Sequence, residues 1–468
     1  MSESEFRSRL TRDERYLLGK SARAKASRDA FADLPVTTTR DSLAILLRQD
    51  QRRIPFLVPE RHKRMAASPF AYLRGAAAVM AADLAPLPST GLYVQAAGDA
   101  HIMNFGSFIS PEGRVLFDVN DFDETIAGVD FSVDVRRLAA SLAVAASDYG
   151  FGRKQQRRIV TEAVATYRMA MRALSALSPY EVWQQRIDLA VELDRIEDKR
   201  LRRHIAASLT HVPTDQVLND DVPHLDRQSP SPRFEDRDGT IFHDHGPESV
   251  GLIAEADAAF ARYPAVLLPE RRMLLARYAH LDTAIKVVGV GSVGTLCAIA
   301  LYATPDKELL VLQLKEAQAS VNIDLVADPA LLTTGGDEGR RVVEGQRAMQ
   351  AASDVFLSAI PVGAGDRHHR RFYARHLKTQ RLASLADLIA RDLHQADALA
   401  AYGHLCARTL ARAHARTGDP IAIAAYLGSS DAFDEAIAAF ATDYVALNAA
   451  DHAVLRAYVA TGGRSASR

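Results

Sequence analysis

Residues 283–315 read TAIKVVGVGSVGTLCAIALYATPDKELLVLQLK. Thr283–Val288 is apolar and strand-like, and a turn follows with glycines at Gly289, Gly291 and Gly294. Leu296–Tyr302 and Leu309–Lys315 are two further apolar runs, separated by the turn signal Thr304-Pro305-Asp306-Lys307. The pattern is strand, glycine turn, strand, tight turn, strand. A dinucleotide-binding unit needs a helix directly after its glycines, and none is predicted here. A Walker loop needs Gly-Lys-Ser/Thr, which is absent. What remains is a glycine turn between antiparallel strands, where backbone N–H groups can approach phosphate oxygens. Gly289, Gly291, Ser292, Gly294 and Thr295 are the candidate phosphate-binding residues, with Lys315 at the end of the third strand. Glu344, in the helix pattern that follows, is the candidate ion-pair partner of Lys315, with Glu338 as its competitor.

Roughly 190 residues earlier the chain reads Gly98-Asp99-Ala100-His101-Ile102-Met103-Asn104. Asp99 and Asn104 stand at the spacing of a catalytic base and a Mg²⁺ ligand. The acidic run FDVNDFDET follows and supplies a second metal ligand. Asp121, which opens Asp-Phe-Asp, is the preferred candidate, and Asp118, at the end of the apolar run before it, is the alternative. Glycine turn, lysine and Asp-x-x-x-x-Asn loop are the parts of a kinase-type phosphoryl-transfer site. A kinase places the glycines and lysine first; here the catalytic loop leads. The expected fold is therefore α+β, a protein-kinase-like two-lobed fold in circularly permuted order.

The chain has 468 residues, 48% of them hydrophobic, with a formal net charge of −1. It can bury a sizeable core, and its charge balance calls for neither nucleic acid nor an anionic membrane as partner. Arg52-Arg53 and His368-His369-Arg370-Arg371 read as solvated basic faces. Two cysteines, Cys297 and Cys406, sit in apolar runs and read as buried and reduced. No apolar h-region and no membrane-length run is visible, so a cytoplasmic protein is expected. The expected organisation is an N-terminal charged helical extension (1–50), a catalytic segment with helices (51–210), a loop or linker (211–250), a nucleotide-binding β segment (251–380) and C-terminal helices (381–468). Helices are expected over 70–84, 133–146, 339–354, 396–415 and 431–459. Hairpins are expected over 108–121 and 355–377. His243-Asp244-His245 has a metal-like look but lies in a polar loop, and is not read as a zinc site.

GDAHIMNFG, NDFDE, Gly128 and Asp134-Val-Arg-Arg-Leu-Ala together resemble the catalytic segment of the aminoglycoside phosphotransferase and choline-kinase type. Ala97 stands where that pattern has its first histidine. The run from His404 to Ala415 resembles the helix that leads into the catalytic loop in that family; here the chain does not continue into the loop. The whole chain also resembles a bacterial family known as domain of unknown function 2252, through RMAASPFAYLRGAA, GDAHIMNFG, FDVNDFDET, VGVGSVGT, LQLKEA and VVEGQRAMQAASD. The expected function is ATP- and Mg²⁺-dependent phosphoryl transfer to a hydroxyl of an unidentified small molecule or protein. A nucleotide-binding pseudokinase and an adenylyl transferase are the alternatives. The partners expected are the nucleotide and that acceptor.

Overall fold

Apolar runs too long to be half-exposed strands must be covered on both faces, and this governs how residues 279–317 fold. The computed structural model describes residues 10–34, 40–193, 199, 202, 223–226, 231–363, 369–377 and 396–462. The first half of the chain holds strands β1 (Tyr93–Ala96), β2 (Phe105–Ile109), β3 (Val115–Val119) and β4 (Ile126–Asp130). The second half holds β5 (Ile241–Phe242), β6 (Ala279–Lys286), β7 (Cys297–Ala303), β8 (Leu309–Ala317), β9 (Ser358–Ile360) and β10 (Arg371–His376). These last six form one antiparallel sheet in the order β9-β10-β8-β7-β6-β5. Every residue of β7 is buried. Ala298, Ala300, Leu312 and Leu314 pack on one face with Phe260 and Tyr263, while Ile299, Leu301 and Val311 pack on the other with Phe234 and Ile241. The β7–β8 turn closes through Lys307 N donating to Thr304 O, with Lys307 at φ +69°.

The N-terminal part of the chain supplies helices α1 (Arg12–Lys25), α2 (Ser42–Asp50), α3 (Val58–Met65), α4 (Pro69–Gly75) and α5 (Ala77–Leu84). Further along lie α6 (Phe131–Asp148), α7 (Arg153–Leu174), α8 (Leu252–Val266) and α9 (Glu338–Met349). The chain closes with α10 (Ala396–Thr417), α11 (Pro420–Leu427) and α12 (Ala432–Ala460). The largest core joins β1–β4 with α6, α7, α10, α11 and α12, so residues more than 250 positions apart share one interior. The architecture is α+β.

Helix α9 bridges the two regions. Its Gly339 lies so close to the β10 backbone that a Cβ there would fall 2.5 Å from Phe372 O. Val342, Val343 and Met349 face the large core instead.

Several local expectations shift in the fold. The helix expected over 70–84 is two helices broken at Ala76, whose φ −109° and ψ 34° are not helical. Gly75 sits against Met65, where a Cβ would approach the thioether to 2.6 Å, so packing sets the break. The helix expected to reach Asp354 stops at Met349, since Gln350 turns extended. Helix α11, opened by Asp419 and Pro420, was not anticipated. Much of the expected 211–250 linker lies outside the described residues. Of its described part, Ile241–Phe242 extends the large sheet by pairing with β6. Cys297 and Cys406 are free and buried. No helix among the described residues is long and apolar enough to cross a membrane.

Candidate functional site

β1 delivers the chain into Gly98-Asp99, and the loop is fixed before any ligand is considered. Gly98 has φ +82°, and a Cβ there would meet Glu124 O at 2.0 Å, so the position needs glycine. Asp134, near the start of α6, accepts from Ala97 N at 2.7 Å and Gly98 N at 3.0 Å. His414 of α10 lies 3.1 Å from the same carboxylate and shares its other ring nitrogen with Tyr167 OH at 2.9 Å. Beyond that anchor, Asp99 Oδ1 accepts from Arg137 Nε at 2.8 Å. Burial pushes the Asp99 carboxyl up, Arg137 and Arg74 pull it down, and the balance is a raised pKa. His101 is buried with its Nδ1 accepting from Met103 N, and burial together with Arg137 and Arg74 keeps it neutral. Asn104 donates Nδ2 to Asp99 O at 2.8 Å, which leaves Oδ1 as its acceptor end.

The acidic run after β3 divides by direction. Asp118, on β3, points into the protein, where it accepts from Ala351 N at 2.9 Å and pairs with the Arg412 guanidinium of α10. It is fully buried and does not line the cleft. Asp121 and Asp123 turn the other way. Lys315 Nζ, at the end of β8, lies 3.3 Å from Asp121 Oδ1 and 2.5 Å from Asp123 Oδ2 across 194 and 192 residues of chain. Asp123 also accepts from Tyr373 OH at 2.6 Å and Ser292 Oγ at 3.2 Å. Burial works against the Lys315 charge, but Asp121 and Asp123 more than offset it and hold the ammonium well above its ordinary pKa. Burial likewise opposes the Asp123 charge, and Lys315 and Tyr373 overcome it to keep the carboxylate ionised.

Glu124 has no cation of comparable reach. Burial pushes it up to about 7, while Val321 N, donating at 2.7 Å, and Arg341 pull the other way. Arg341 of α9 donates to the main-chain oxygens of Asp123, Thr125 and Gln318, so the helix clamps the acidic loop through its backbone.

Glu344 does not meet Lys315. It pairs with Arg340 one helical turn away, at 2.8 Å and half exposed. Glu338 pairs with Arg341 instead. The inner face of α9 carries Gly345, which sits against Thr125 and Gln95, so no glutamate projects toward the lysine.

The glycine turn is held from outside. Gly289 and Gly294 have φ +68° and +94°. Ile54 N donates to Gly294 O at 2.7 Å, Arg53 Nη1 to Val293 O at 2.5 Å and Arg64 Nη1 to Gly289 O at 2.9 Å. A Cβ on Gly291 would come within 3.2 Å of Arg74 O. Thr295 Oγ1 donates to Ser292 O.

Together these segments enclose a cleft of about 840 Å³. Asp99, Asn104, Asp121 and Asp123 line one side, and Gly289, Gly291, Ser292, Thr295 and Lys315 line another. Asp123, Glu124 and Arg137 belong to the site, and sequence does not single them out. Asp123 and Glu124 are acids of FDVNDFDET that sequence cannot tell from their neighbours. Arg137 lies in Asp134-Val-Arg-Arg, where nothing in the sequence shows that it reaches Asp99. Among the described residues no three acidic, histidine or cysteine side chains converge as a ready-made metal cage. His243 lies between Asp236 and Asp282 and is no part of the cleft.

A family model described as an uncharacterized protein conserved in bacteria, DUF2252, matches residues 53–458. No curated protein and no solved structure matches the chain.

Proposed function

From the premise that the chain belongs to the DUF2252 family of uncharacterized bacterial proteins, we propose that its cleft carries out ATP- and Mg²⁺-dependent phosphoryl transfer to a hydroxyl group, on a kinase-like fold with permuted segments. One observation carries the reading. Lys315, from the strand after the glycine turn, meets Asp121 and Asp123, from the segment after the Asp99–Asn104 loop. A lysine at a strand end, glycine backbone and a pair of carboxylates are what a nucleotide triphosphate with its metal requires.

The roles follow from the contacts. Backbone N–H groups of residues 289–295 and the Lys315 ammonium bind phosphate oxygens. Mg²⁺ needs few protein ligands because phosphate oxygens and water complete its shell. Asn104 Oδ1 with the Asp121 and Asp123 carboxylates is a donor set of that kind, with hard oxygens only. Bound there, the metal would neutralise charge on the β- and γ-phosphates. Asp99 takes the proton from the acceptor hydroxyl, whose oxygen bonds to the γ-phosphorus as the bond to the ADP oxygen breaks. Its raised pKa favours that task.

The end of α10 supports the permuted order. Thr417 Oγ1 accepts from Gln95 N of β1, and a Cβ on Gly418 would come within 2.7 Å of Val94. The helix that resembles the lead-in to the catalytic loop thus ends beside the strand that enters it, although the sequence places them about 320 residues apart.

ATP with Mg²⁺ at ~100 times its Kd should stabilise the protein by about 2.7 kcal/mol. This is readable as a rise in Tm, and Lys315→Met should remove most of it. No shift with any nucleoside triphosphate and any divalent ion would overturn the reading. A second reading, nucleotide binding without turnover, is favoured by one contact: Arg137 neutralises the Asp99 carboxylate, which weakens it as a base. Labelled ATP separates the two, and the label's position in the product separates phosphoryl from adenylyl transfer.

A further inference from the structure

The walls of the cleft differ in charge: one carries only cations, the other carries acids together with Lys286, Lys315 and Arg375. The side built from residues 45–85 contributes Arg48, Arg52, Arg53, Arg64 and Arg74, and no carboxylate among the described lining residues. The acids all come from the facing side, with Asp99, Asp121, Asp123 and Glu124 nearest the proposed chemistry. Of Arg48, Arg52, Arg53 and Arg64, only Arg64 has a carboxylate at ion-pair distance among the described residues, Glu60 at 2.7 Å. Arg48 and Arg52 are exposed to the cleft.

Arg53 is half-buried in that wall. Adjacent to Arg52 in sequence, it reads as part of a solvated pair, but its side chain folds inward along Gly294. Its Nε is buried without a hydrogen-bond partner among the described residues. Burial, and then Arg61, lower its pKa to about 10, more than the Asp50, Glu124 and Glu316 carboxylates restore, so the site still disfavours the charge it holds. A buried N–H left unsatisfied is destabilising, more so when it is charged. Nothing in the folding of the segment requires that cost, because Arg53 Nη1 alone makes the bond to Val293 O. An anion drawn to the part of the guanidinium that lines the cleft would offset the cost of the charge with charge-assisted hydrogen bonds. Arg74 stands between the two halves of the site: its carbonyl touches the glycine turn, and its charge acts on Asp99 and His101. Beside it the alanine face of α5, with Ala77, Ala78, Ala81, Ala82 and Ala85 in the lining, leaves room where larger side chains would fill the space.

We propose that this arginine wall binds an anionic group on the acceptor, so the substrate is a hydroxyl compound bearing a phosphate or carboxylate. The proposal rests on the phosphoryl-transfer reading. It places the acceptor's hydroxyl toward Asp99 and its anion toward Arg53, Arg52 and Arg48. A polycationic amino sugar would meet like charge along that whole wall. The resemblance of the catalytic segment to aminoglycoside phosphotransferases therefore does not extend to the acceptor.

Inorganic phosphate is the probe. It is titrated at constant ionic strength into the full chain saturated with ADP and Mg²⁺, and followed by Tm. Phosphate should add a shift beyond that of the nucleotide. Arg53→Gln should weaken the phosphate response at least tenfold. Arg48→Gln with Arg52→Gln, on exposed side chains that folding does not need, should weaken it severalfold and leave the ADP shift in place. An unchanged phosphate response in both variants means an adventitious ion only and overturns the proposal. So does the absence of any phosphate response in the wild type. In the Arg48→Gln, Arg52→Gln variant, loss of the ADP shift together with the phosphate response assigns the arginines to the nucleotide, which also overturns it. If the wild type responds to phosphate but not to ADP, the nucleotide reading fails while the anion site stands.

Discussion

Asp118 and Asp123 are five residues apart on one acidic run and serve opposite ends. Asp118 is tied to Arg412 and the Ala351 backbone in the interior, where it fastens β3 to α10 and to the end of α9. Asp123 is tied to Lys315, Tyr373 and Ser292 at a cleft, and each of those partners comes from the sheet half of the chain. Both are paired with a cation. The difference lies in what could displace the partner. Nothing can reach Arg412 without unfolding the helical body. A phosphate entering the cleft can compete with the carboxylates for Lys315. A paired aspartate is therefore structural or functional according to whether its cation can be exchanged, not according to burial or pKa.

The largest effect expected on the cleft side is at Asp99. Asp99→Asn keeps the shape and removes the proton acceptor, so turnover should fall by ~10²–10⁴ while the ATP-induced rise in Tm persists. Turnover equal to wild type would end the case for catalysis at this loop. On the interior side, Asp118→Ala leaves the Arg412 guanidinium buried without its anion. Loss of one partner of a buried pair costs about 3–5 kcal/mol. The change should appear as a lower urea midpoint, with nucleotide affinity per folded molecule unaltered. If Asp118→Ala folded normally and lost metal dependence, the two aspartates would have to exchange roles.

The parts of this comparison that sequence could read are the local ones. The glycine turn between strands follows from residues 283–315, because strand period, turn residues and an apolar run all lie within hydrogen-bonding distance along the chain. The hairpin at Ser110–Gly113 is readable for the same reason, with Gly113 at φ +78° closing it. The direction of each acid in FDVNDFDET is not local. It depends on Arg412, 294 residues from Asp118, and on Lys315, 192 residues from Asp123. Glu344 illustrates the converse error. A helix after the lysine strand invites an ion pair, but Arg340 is one turn away and Gly345 occupies the inward face. The basic wall escaped notice because Arg52 and Arg53 are adjacent in sequence and only the fold sends one of them inward.

A smaller effect tests the exchangeable pair itself. Asp123→Asn keeps an acceptor for Tyr373 OH and Ser292 Oγ but removes the charge that holds Lys315. The free-energy gain from ATP with Mg²⁺, about 2.7 kcal/mol at ~100 times Kd, should shrink. The gain from ATP without metal should change less, since Lys315 is then released toward phosphate. An identical loss with and without metal would place Asp123 with the structural aspartates, beside Asp118.

Glu124 should give the smallest effect, and it sharpens the comparison by having no cation to exchange. Its folded pKa, pushed up to about 7 by burial, stands above the ordinary glutamate value of 4.5. The folded state therefore binds its proton more tightly than the unfolded state does. By linkage, stability from this group is fully present below pH 4.5 and is lost as pH rises toward and through 7. One proton limits the slope to about 1.4 kcal/mol per pH unit. Glu124→Gln keeps an acceptor for Val321 N and cannot ionise, so the fall in urea midpoint between pH 5 and 7.5 should flatten in the variant. Asp123→Asn should leave most of that slope in place, because Asp123 is already ionised throughout the window and its charge is a minor cause of the raised Glu124 pKa. An unchanged slope in Glu124→Gln would mean that Arg341, acting through the same loop, holds Glu124 ionised just as Lys315 holds Asp123. The acidic run would then contain no carboxylate poised near neutral pH.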